Sequence, residues 1–110
     1  MNQAIHNRLV RVAQARQTAS FDEIASLMGP DARRRSSQIK ASKILREISV
    51  YEHSRSRPML SAIVLNRSDN SPGPEFFELA RTLGRYSGED EGSDRRFLEA
   101  EIKSVWDQWQ

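Results

Sequence analysis

Cysteine is absent from this 110-residue chain, which removes disulfides, thiolate metal sites and cysteine nucleophiles together. A cytoplasmic home is the simplest expectation. Histidine occurs only as His6 and His53, far apart and without the short-spaced partner that a zinc-type ligand pair needs. Long hydrophobic runs are also missing. No stretch of about 18 apolar residues exists to span a membrane, and Met1-Asn2-Gln3-Ala4-Ile5-His6 does not lead into the apolar core of a secretory signal. The glycines make no phosphate-cradling pattern. Ser36, Ser37, Ser42, Ser54 and Ser56 stand in no nucleophile elbow. Glu89-Asp90-Glu91 with Asp94 lacks the alternation and distal glutamate of a calcium loop. The sequence therefore predicts no catalytic residue, no cofactor, no metal and no membrane partner: a non-enzyme.

What is present suits one small soluble domain. Hydrophobic residues make up 37% and charged residues 29%, enough for a single core at this length. Net charge is only +2, but it is unevenly spread. Residues 1–57 carry eleven Lys/Arg against five acids, a balance of +6, whereas residues 58–110 carry six against ten, a balance of −4. Two readings stand level. Either the basic half meets a polyanion, or the acidic half neutralises it across one folded surface.

Hydrophobic periodicity marks the elements. Ile5, Leu9 and Val12 with Ala13 form one stripe of a first helix over about Asn2–Arg16. Ser20-Phe21-Asp22-Glu23 has the form of a capping box, opening a second helix that Gly29-Pro30 ends. A third helix is predicted from Asp31 or Ala32 to Tyr51 or Glu52, with a break near Ser36-Ser37 as an alternative. Its apolar stripe is Ala41, Ile44, Leu45, Ile48 and Tyr51, and the opposite side holds Arg35, Ile39, Ser42, Lys43 and Arg46. Met59–Leu65 is an apolar, β-branched-rich run that reads as the one clear strand. The turn-rich segment 66–74 follows, then a helix over about Glu75–Leu83 capped by Gly84. Residues 85–93 read as a flexible acidic linker. The last helix, over about Asp94–Trp109, carries Leu98, Ile102, Val105, Trp106 and Trp109 on one face. The expected organisation is a domain over 1–84, the linker 85–93, and a C-terminal amphipathic helix over 94–110. That helix packs on the domain or on a second copy.

Helix, capped short helix, tight turn, basic helix, strand and turn-rich loop is the order of a winged helix-turn-helix. The expected fold is accordingly mainly α with a small β-element, winged helix-turn-helix-like, with two extra C-terminal helices. Thr18-Ala19-Ser20-Phe21-Asp22-Glu23-Ile24-Ala25 followed by Met28-Gly29 resembles the second helix of many winged-helix domains. Pro58-Met59-Leu60-Ser61-Ala62-Ile63-Val64 falls where the alkylguanine-DNA alkyltransferases and alkyltransferase-like proteins carry a Pro-Cys-His-Arg-Val strand. Arg34 falls near that family's base-displacing arginine. The resemblance covers roughly residues 18–73 and implies a fold, DNA as partner and an alkylated-base sensor as one role. Met59 stands at the place of the reactive cysteine, no His-Arg follows it, and the segment between Arg34 and Pro58 is longer than the family's. Alkyl transfer is excluded for want of a thiol.

The leading expectation is duplex DNA bound through the third helix and the wing. Arg33, Arg34, Arg35, Lys43, Arg46, Arg57 and Arg67 are the candidates for phosphate or guanine contact, with Ser42 beside them and Ile39 for a thymine methyl. A protein-interaction module on the same scaffold is the alternative. Ile102, Val105, Trp106 and Trp109 pack into the chain's own core or, alternatively, anchor a homodimer.

Overall fold

In the computed structural model, which describes residues 1–29, 34–88 and 92–110, the first turn is set by a side chain. Asn2 accepts a hydrogen bond from the Ile5 N–H at 3.0 Å and so satisfies one of the orphan donors of α1 (Gln3–Gln14). Ser20 does the same for α2 (Phe21–Ser26), accepting from Glu23 N–H at 3.1 Å. Only half of the expected capping box forms. The Glu23 carboxylate turns to Arg8 of α1, at 2.9 Å, instead of reaching back. Pro30, read as the stop of this helix, lies outside the described residues.

α3 (Arg35–Ser54) is one unbroken helix of 20 residues, so the alternative break near Ser36-Ser37 does not occur. Both α1 and α3 end by the same device. The second residue past each cap bonds back five positions, Gln17 N–H to Val12 O at 3.1 Å and Arg57 N–H to Glu52 O at 2.9 Å. The intervening residues, Arg16 and Ser56, take φ of 53° and 61°. That is the Schellman arrangement with non-glycine residues in its left-handed position. α4 (Pro74–Thr82) ends likewise, here with Gly84 at φ 77°.

The apolar run expected as a strand departs from expectation. Leu60–Ile63 forms a 3-10 turn, and only Val64–Leu65 extends as β2. β2 pairs in parallel with β1 (Ala19–Ser20), in the register Ala19 to Val64 and Ser20 to Leu65. The physical reason is the surroundings. Met59, Leu60, Ala62 and Ile63 are fully buried, and the segment packs against α3, α5 and α1. Helices offer no ladder to a strand, so backbone donors must be met otherwise. Ala62 N–H bonds to Met59 O within the turn. Ser61 N–H donates to Ser49 Oγ of α3 at 3.2 Å, and Met59 N–H donates to Glu101 Oε2 at 3.0 Å.

α5 (Ser93–Gln108) belongs to the same core. Leu98, Ile102 and Val105 are buried in it. The segment expected as a flexible linker is anchored in its described parts. Arg85 makes a two-pronged contact with Glu101, at 2.7 and 2.9 Å. Tyr86 is buried, stacks on Phe97 at 4.6 Å between ring centroids, and its hydroxyl meets Ser93 and Asp94. Residues 89–91, which carry all of its acidic charge, lie outside the described residues. The molecule is thus mainly helical with a two-stranded parallel sheet around one core, with a radius of gyration of 13.1 Å, as a chain of this length gives when compact.

Candidate nucleic-acid interface

α3 divides its residues by face. Ser37, Ala41, Leu45, Ile48, Ser49 and Glu52 are buried toward the core. Arg35, Lys43 and Arg46 are exposed on the other side, Ser42 is half-buried, and Ile39 keeps 45% of its surface. The sorting follows from 100° per residue: the aliphatic stripe is drawn inward, so its antipode must face water. Among the described residues no side-chain hydrogen bond or ion pair ties up Arg34, Arg35, Lys43 or Arg46. A row of uncommitted guanidinium and ammonium groups therefore runs along roughly 16 Å of helix, at 1.5 Å per residue from Arg35 to Arg46.

Beside this row lies a groove of about 780 Å³. Arg35, Lys43 and Arg46 contribute to one wall and Glu75 and Glu78 of α4 to the other, while Phe21, Ile39, Phe76 and Leu79 supply apolar lining. Among the described residues none of the five charges is ion-paired. The acidic wall comes from the first turns of α4, a short helix beside α3, and not from the α5 tail. Its two acids were legible as the i, i+3 carboxylates of the Pro74 helix, but nothing in the sequence places them opposite α3.

The structure disperses the other candidates. Arg33 lies outside the described residues. Arg57 is not a surface cation available to phosphate. It is bound to the fully buried Glu52 and lies over the rings of Tyr51 and Trp109, at 5.8 and 5.2 Å. Its hydrogen bond to the Glu52 carboxylate raises its already high pKa further, against the opposing effect of burial. Arg67 is exposed on the 66–71 turn, which closes on itself through an antiparallel bridge from Asn66 to Ser71. It borders a second, polar groove of about 360 Å³ with Thr18, Ser20 and Asn70, apart from the α3 row.

The stripe considered as a dimer anchor faces the chain's own core. Ile102 and Val105 are buried. Trp106 donates its indole N–H to Gln17 O at 2.9 Å, and Trp109 meets His6 edge-on at 5.9 Å. Trp106 and Trp109 are half-buried, so the stripe lies mainly against the chain's own core and leaves parts of two indoles at the surface.

Three polar residues are central: His6, which sequence reading weighed only as a metal ligand without a partner, and Glu52 and Glu101, which it passed over. His6 Nε2 lies 2.6 Å from Glu52 Oε1, so Glu52 joins α1, α3 and Arg57 in one buried network. Glu101 does the same for Arg85 and the Met59 backbone. A signal existed for both carboxylates. Glu52 continues the Ala41–Leu45–Ile48 stripe, and Glu101 sits inside Leu98–Ile102–Val105. A charge on an apolar stripe is a buried, paired charge. None of these groups lines either groove, and their role is structural. Among the described residues no three His, Asp or Glu gather as a metal site, and no helix is long and apolar enough to cross a membrane. Comparison with protein-family models, curated proteins and solved structures found no match for this chain.

Proposed function

We propose that this is a non-enzymatic, cytoplasmic nucleic-acid-binding protein whose contacts come from the outer face of α3. The observation that carries the reading is the row Arg35, Lys43 and Arg46, exposed and uncommitted on a helix whose other face is locked into the core. Cations held this way neutralise phosphates at little ordering cost, and released counterions supply the driving force. The order α1, β1, α2, α3, β2 and a closed turn is the one used by winged helix-turn-helix proteins, in which α2 braces the helix that meets the nucleic acid. Arg34 extends the row at the helix start.

The test is a fluorescence-anisotropy titration of labelled DNA at 50 and 200 mM salt. Three phosphate contacts predict a loss of roughly 20- to 40-fold in affinity across that range. The triple variant Arg35→Ala, Lys43→Ala, Arg46→Ala is expected to lose most of the affinity and most of the salt slope. Unchanged binding by the variant removes α3 as the interface. A protein-interaction module is the second reading, favoured by the apolar lining of the groove beside α3. It predicts no appreciable affinity for nucleic acid at physiological salt.

A further inference from the structure

The groove beside α3 has one basic wall, one acidic wall and apolar groups between them, and this asymmetry bears on which nucleic acid fits. A duplex with a helix in its major groove carries a phosphate backbone on each flank of that helix, because the groove is only about 12 Å wide. The flank of α3 that carries Arg35, Lys43 and Arg46 is the flank that shares its groove with Glu75 and Glu78, both exposed and, among the described residues, neither ion-paired. A duplex backbone seated there would lie against two carboxylates as well as three cations.

A single strand has the opposite asymmetry. Its phosphates run along one edge and its bases along the other. Phosphates can follow Arg35, Lys43 and Arg46 while bases rest on the half-buried Phe21 and the exposed Ile39, as unpaired bases do on aromatic and apolar platforms. The acidic wall then has a use. Exocyclic amino groups of cytosine and adenine are donors, and a carboxylate accepts from them.

We infer that the α3–α4 groove binds an unpaired strand of DNA or RNA, with phosphates on α3 and amino-bearing bases toward Glu75 and Glu78. This rests on the nucleic-acid reading above and narrows it to a strand type.

The experiment uses the full chain at pH 7.5 and 100 mM salt with four fluorescent 12-mers: oligo(dC), oligo(dT), oligo(rC) and a mixed-sequence duplex. Oligo(dC) is expected to bind at least 10-fold more tightly than the duplex and about 5-fold more tightly than oligo(dT), which has no exocyclic amino group. The ratio of oligo(rC) to oligo(dC) assigns the strand to RNA or DNA. Glu75→Gln, Glu78→Gln is expected to bring the oligo(dC) to oligo(dT) ratio below 2-fold and to raise duplex affinity. Both side chains are exposed, so the variant keeps its fold. Duplex binding equal to or tighter than that of the strands overturns the inference while leaving the α3 contact intact. So does a base preference that the double variant retains. Absence of binding to all four probes overturns both and leaves the interaction-module reading.

Discussion

At the scale of single residues, the strongest constraint is a fully buried carboxylate. Glu52 accepts from Arg57 and His6, and a charge without water must have such partners. Glu52→Gln keeps the shape and removes the charge, leaving a largely buried guanidinium uncompensated. The expected loss is about 3 kcal/mol, the low end for breaking a buried pair because a quarter of the Arg57 side chain still reaches solvent. Thermal unfolding would fall by roughly 10–20 °C. A drop of only a degree or two would show that the network orders the fold without stabilising it. Asp107 makes the contrasting case at the surface. Lys103 first and Arg16 second hold its carboxyl below the usual carboxylate range. A folded pKa that is lowered gives stability present above the unfolded value and lost as pH falls through the folded one. An NMR titration should therefore place the Asp107 midpoint below that of an unstructured aspartate, and Lys103→Met should move it upward. An unmoved midpoint would assign the shift elsewhere. Lys103 and Asp107 are an i, i+4 pair that the chain itself spells out, but His6 and Glu52 are 46 positions apart and Arg16 and Asp107 are 91 apart, distances that no local pattern spans.

At the scale of elements, helices were the readable part because their period is a property of the chain itself. The α3 and α5 stripes, the Ser20 cap and the Gly84 stop are local chemistry, and they stand where that chemistry puts them. Met59–Leu65 was misread for an equally physical reason. A short run that is apolar on every side has no period, so strand and tight helix look alike until the neighbours are known. Its donors are met by Ser49 and Glu101 from two different helices, and this supports a 3-10 turn where a ladder was unavailable. Helix ends carry a further prediction. Ser56 sits at φ 61°, is exposed, and makes no side-chain hydrogen bond among the described residues. Ser56→Gly removes a left-handed strain of about 1–2 kcal/mol at the cost of some unfolded-chain entropy. A net gain of about 0.5–1 kcal/mol is expected in urea denaturation. Destabilisation would mean that the backbone strain there is negligible.

At the scale of the whole molecule, α5 closes the core and is no appendage. A chain ended at Gly92 would expose the pocket left by Leu98, Ile102 and Val105 and strand Arg85 and the Met59 N–H without Glu101. Truncating even one such buried aliphatic costs about 2–5 kcal/mol, against a total stability of about 5–15 kcal/mol for a domain. The shortened chain is expected to lose its cooperative unfolding transition by circular dichroism. A sharp transition near that of the full chain would show that residues 1–92 keep a core without α5. Composition, the charge imbalance between the halves and the amphipathic faces are properties of local order along the chain, and they sufficed for a mainly helical molecule with one cationic helix face. Which carboxylates lie beneath that face, which lie across from it, and whether α5 seals the core depend on contacts between residues distant in the chain. Those are settled by burial and by the pairing of desolvated charges, forces that act only once the helices have met.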